Sequence, residues 1–146
     1  MADHIFLSFR KIDEDWKARN LWERGEQAWL MVAVAHFVSG IYHHFHADIL
    51  GYDARWTNEP MVILNGSLAV LAIAMNRVSK LHQKAWLPVF CLLWIGLGFY
   101  YNFTTQIADK ISMLFAFFAA GLSVGAVRAA LYMTRQKSVD QTRNAA

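Results

Sequence analysis

Four stretches of the chain carry no Asp, Glu, Lys or Arg, and their lengths point to the fold. Gln27 to Ala47 is 21 residues, Pro60 to Asn76 is 17, Ala85 to Ala108 is 24 and Ile111 to Val127 is 17. At about 1.5 Å of rise per residue, a helix over each reaches most or all of the way across a hydrocarbon layer about 30 Å thick. The fourth extends to Met133 if Arg128 turns its charged end toward water. The pattern predicts an all-α integral membrane four-helix bundle filling residues 27–134, with spans near 27–48, 60–77, 85–106 and 110–133. A soluble helical bundle is the alternative, but it needs polar faces that these runs lack.

The flanks complete the pattern. In residues 1–26, Ile5, Phe9, Ile12 and Trp16 recur at helical spacing with charges between them. This predicts an N-terminal amphipathic helix on the cytoplasmic interface, anchored by Trp16 and Trp22, or packed on a partner protein. Acids and bases occupy this segment and no small-residue cleavage pattern follows, so it does not read as a cleaved leader. Pro60 is expected in the first turn of the second helix with Asn58 as its cap, and Pro88 in the first turn of the third. Residues 135–146 form a polar cytoplasmic tail, expected to fray from Thr134 onward.

Charge sets the orientation. Lys and Arg number five before the first span, then one, three, one and four in the successive flanks. That alternation follows the positive-inside rule for four spans and places both termini in the cytoplasm, in a membrane of the bacterial inner (plasma) type. Asp48, Asp53, Glu59 and Asp109 fall on the outer side. The net charge of +3 is thus mainly a topology signal. No basic stripe with interleaved aromatics marks a nucleic-acid partner. The single cysteine, Cys91, excludes an internal disulfide and reads as a packing residue of the third span.

Candidate chemistry gathers in the first span, which holds His36, His43, His44 and His46. Histidine in a membrane helix normally faces protein or water. His36 and His43 are two turns apart on one face, with Gly40 between them leaving room for a flat group or a neighbouring helix. These three are the candidate cofactor-binding residues, and a b-type haem is one reading. The second axial ligand is its difficulty, because His4 and His82 belong to the cytoplasmic side. A methionine such as Met61 or Met113, or another subunit, would have to supply it. The other reading is a transition-metal or proton site at the outer surface, formed by His43, His44, His46 and Asp48. Alternatively the histidines sit half solvated at the interface beside Tyr42, Phe45 and Tyr52.

Polar residues of the other helices collect in the same outer leaflet. Asn65, Asn102, Gln106 and Asp109 predict a hydrated outer pocket, or else bond to one another between helices. Gly121 and Gly125 in the fourth span form a small-residue packing interface, within the chain or with another subunit. Short stretches, Ser39 to His43 with Arg55 to Asn58, and Ile107 to Lys110, resemble parts of microbial rhodopsins. Four spans and the lack of a mid-membrane lysine exclude that family's retinal chemistry here.

The leading expectation is an accessory or anchor subunit of a multi-component membrane complex, handling electrons, protons or a metal at its outer face. Its partners would be the lipid bilayer and other membrane subunits. The alternatives are a self-associating small-solute or ion carrier or channel, and a metal-dependent membrane enzyme. Phosphate-cradling and nucleophile motifs of soluble enzymes are missing.

Overall fold

The computed structural model describes residues 12–45, 54–82, 84–105 and 110–145. They form four helices, and no strand occurs among the described residues: α1 is Asp15–Phe45, α2 is Ala54–Leu81, α3 is Trp86–Thr105 and α4 is Lys110–Ala145. The chain is all-α. Two stretches are long and apolar enough to cross a membrane, Pro60–Leu81 in α2 and Ile111–Arg143 in α4, each holding an 18-residue window whose mean hydropathy is 1.6 and 1.8 respectively. Trp86–Tyr101 in α3 is apolar but shorter.

The helices run up, down, up, down. Gly40 of α1 faces Asn65 of α2, and the α1 carbonyl of Glu26 accepts a hydrogen bond from Asn76 Nδ2 at 2.6 Å, so α1 and α2 are antiparallel. Trp29 of α1 packs on Phe90 and Trp94 of α3, and His36, further along α1, also reaches Trp94. Ala18, Leu21 and Trp22 near the start of α1 cluster with Ala129 and Ala130 near the end of α4. Helix α1 therefore touches all three others and α3 also packs on α4, whereas α2 makes almost no contact with α3 or α4.

Small residues let α1 and α4 approach. A β-carbon on Gly25 would lie 2.1 Å from Ala126 Cβ, which no pair of side chains tolerates. Ala119, Ser123, Ala126 and Ala129 are buried on the same helix. Gly125 is buried and Gly121 half-buried in this stretch. The central core then forms around Trp29, 1% exposed, with Ala28, Val32, Ala72, Cys91, Ile95 and Ala119. Aromatic rings stand edge-on here, Trp29 to Trp94 at 5.8 Å and Phe90 to Trp94 at 5.9 Å between centroids.

Several local features differ from the sequence expectation. Residues 15–26 do not lie apart as an interfacial helix but continue without a break into the first apolar stretch. The reason is packing: Ala18, Leu21, Trp22 and Gly25 are buried, although Trp16 is exposed. Ile5 and Phe9 lie outside the described residues. The tail also stays helical, with α4 continuing to Ala145. Hydrogen bonds from Thr134 Oγ1 to the Ala130 carbonyl and from Ser138 Oγ to the Arg135 carbonyl lie along this turn-by-turn extension. Helix α2 begins at Ala54, so Pro60 sits inside it rather than in its first turn. Proline there cannot donate the backbone hydrogen bond that the Trp56 carbonyl would otherwise accept. Pro88 does fall in the first turn of α3.

Two predictions follow from these contacts. Gly25→Ala should lower stability by about 1–3 kcal/mol through overpacking, measured by unfolding in detergent, and Ala126→Gly in the same chain should restore much of it. The second concerns Glu26, whose carboxyl is raised above the usual range by burial, partly offset by the Trp22 Nε1 hydrogen bond at 3.2 Å and by Lys80. A carboxyl with a raised folded pKa holds its proton more tightly when folded, so stability falls as pH rises from the unfolded value through the folded one. Glu26→Gln should raise the thermal midpoint at pH 7, and the gap from wild type should close below about pH 4, where Glu26 is protonated in both states.

Candidate functional site

Because α2 and α3 do not pack on each other, a cleft remains between them with α1 as its floor. It is a cavity of about 440 Å³. Val32, Ala35, His36, Ser39 and His43 come from α1; Met61, Leu64, Asn65 and Leu68 from α2. Phe90, Leu93, Trp94, Leu97, Gly98, Phe99 and Tyr101 come from α3, and Ser112 and Ala116 from α4. The walls are mostly apolar.

The polar part is built around His36. Trp94 Nε1 donates to His36 Nε2 at 2.9 Å, and His36 Nδ1 lies 3.1 Å from Asn65 Oδ1. An indole N–H can only donate, so Nε2 must present its lone pair. The ring proton of the neutral tautomer is then on Nδ1 and is donated to Asn65 Oδ1. Asn65 Nδ2 in turn donates to the Met61 carbonyl at 2.9 Å, which fixes the amide orientation. Three helices meet in one chain of hydrogen bonds. Both nitrogens of His36 are engaged, so a metal or haem iron on this side chain would have to displace Trp94 or Asn65.

The other sequence candidates sort by position. His43 is buried and lines the cavity on the same face as His36. Gly40 lies between them, and a β-carbon there would sit 3.5 Å from Asn65 Cβ, so the space it opens is occupied by α2. His44 is exposed, its ring 5.0 Å from that of Phe45, and it does not line the cavity. His46 and Asp48 lie outside the described residues, as do Gln106, Asp109 and the side chain of Asn102. Among the described residues, no three His, Cys, Asp or Glu side chains converge where a metal ion could sit. Asn65 is the one member of the expected outer polar group that is described, and it is buried against His36.

Trp94, Ser39 and Ser112 belong to the cavity and were not singled out from the sequence. A signal for Trp94 existed. His36 and Trp94 each lie ten residues in from a charged flank, Glu26 and Lys84, and so share a depth in two helices that start on the same side. No family model, curated protein or solved structure matches the chain.

Replacing Asn65 with Leu should cost about 0.5–2 kcal/mol, the range for an inter-helix hydrogen bond with one partner left unsatisfied. A double-mutant cycle with His36→Leu, read by unfolding in detergent, should show a coupling of similar size. Additive costs would mean the pair is not bonded.

Proposed function

We propose that the chain is a four-span membrane protein, cytoplasmic at both ends, that serves as an accessory or anchor subunit of a larger membrane complex. The observation that carries the four-span reading is the direction of the two most apolar helices. α2 and α4 are both antiparallel to α1, so they run the same way. Two parallel crossings joined by one helix need that helix to return across the layer. α3, with 20 residues, spans about 30 Å at 1.5 Å per residue and fits the return. α1 lies alongside and supplies the polar residues that α2 and α3 bury, which fits a first crossing.

Support for a subunit role comes from surfaces that the chain leaves open. Outside its contact with α1, α2 presents Ile63, Gly66, Val70 and Ile73 to the surroundings, and a β-carbon on Gly66 would meet nothing within 4 Å. A small residue on an outward helix face lets a neighbouring helix come close. At the other end α1 and α4 are long, 31 and 36 residues. About 20 residues suffice to cross, so the two helices project together into the cytoplasm. Residues 134–143 of α4 are exposed there, offering a polar handle to a second protein.

Reporter fusions test the topology. Fusions after Arg55 and Ala108 should read outside, and fusions after His82 and at the C-terminus should read cytoplasmic. Purification in a mild detergent tests the role. Stoichiometric recovery of different polypeptides supports a subunit, whereas recovery of this chain only with itself would favour a carrier or channel.

A further inference from the structure

The size of the α2–α3 cleft discriminates between two kinds of occupant. A crossing helix about 30 Å long and 10 Å across fills several times the cavity's 440 Å³. Small-molecule sites run from about 300 to 1,000 Å³. The cleft therefore suits a small molecule rather than a partner helix.

Its lining says which kind. Among the described residues, no Asp, Glu, Lys or Arg lines it, so these walls offer a charged ligand no counter-charge. Polar side chains lie on the α1 and α2 walls: His36, Ser39, His43 and Asn65. Phe90, Phe99 and Tyr101 of α3 also line it, as does Ser112 of α4. A lining that combines hydrogen-bonding side chains with aromatic rings fits a flat ring that carries hydrogen-bonding oxygens. His36 and the Trp94 N–H are occupied by each other, which leaves the Ser39 hydroxyl and the second amide hydrogen of Asn65 to reach such an oxygen. At the mouth Leu64, Leu93 and Leu97 are 49%, 61% and 71% exposed, an apolar exit between two helices.

We infer that this cleft binds a neutral, ring-headed lipid of the quinone class, its ring among the polar residues of α1 and α2 and the aromatic residues of α3, and its tail leaving between Leu64 and Leu97. The inference rests on the four-span reading, because only in a bilayer does that mouth open where such lipids dissolve. Binding alone is proposed, and no electron transfer is assigned to the chain.

Gly98 provides the test. It lines the cavity, and a β-carbon there meets nothing within 4 Å. Gly98→Phe should fill the cleft without moving a backbone, and Gly98→Ala should leave it open. Ala116→Leu fills it from α4 as a second variant. The full chain in nanodiscs is labelled with an azido-benzoquinone photoprobe, with and without excess short-tailed benzoquinone, and the labelled peptides are mapped. Labelling of α1 and α3 should be chased by the benzoquinone and unchanged by Gly98→Ala. It should weaken about tenfold, or 1.4 kcal/mol, in whichever filling variant keeps the wild-type helicity and thermal midpoint. Three results overturn the inference: no chaseable label, label that survives both filled clefts, or a chase by neutral monoacylglycerol as effective as that by benzoquinone. The reporter fusions are scored separately. A correct topology with failed labelling removes the quinone site alone, and a wrong topology removes the four-span reading whatever the label does.

Discussion

The backbones of α1 and α4 pass so closely at Gly25 that a β-carbon there would collide with the side chain of Ala126. That approach fixes the rest. It brings Ala18, Leu21 and Trp22 onto Ala129 and Ala130, and it holds the central part of α1 at the distance where Trp29 meets the rings of α3. Tight contact between small residues is what joins helices where the surroundings are as apolar as the side chains. α1 then has one side on α4 and the other free for α2, so α2 and α3 are held apart by their shared neighbour. The cleft is a product of that arrangement.

A polar layer crosses this apolar packing. Trp94, His36, Asn65 and the Met61 carbonyl form one line of hydrogen bonds over three helices. Each group would be costly if left unpaired in an apolar interior. Packing of alanines and leucines tolerates small slides along a helix axis, but this line does not. The Glu26 carbonyl and Asn76 repeat the device nearer the start of α1 in the same helix pair.

The sequence pattern carried the helix content and the antiparallel order, because uncharged runs and short connections leave few arrangements. It also brought out His36, His43, Gly40 and Asn65, since rare residue types in an apolar run stand out. It did not reveal their pairing. A histidine and a tryptophan on different helices bond only if both depth and facing agree, and facing depends on packing at Gly25 and Ala126, far from either. The extent of α1 was hidden for a related reason. Charges before Gln27 suggested a separate surface helix, yet the face bearing Ala18, Leu21 and Trp22 is continuous with the face below it. Pro60 misled because proline most often begins a helix, whereas α2 starts a turn and a half earlier.

The position of His36 has a consequence for how the protein is made. Synthesis proceeds from the N-terminal side, so α1 is made before α2 and α3. At that moment His36 has neither Asn65 nor Trp94, because both lie in helices not yet synthesised. Polar side chains in a lone membrane helix are expensive, and the cost is relieved only as α2 and then α3 arrive. On the four-span reading, insertion is therefore an ordered event with a built-in delay: α1 is a provisional resident until α2 and α3 supply the missing partners.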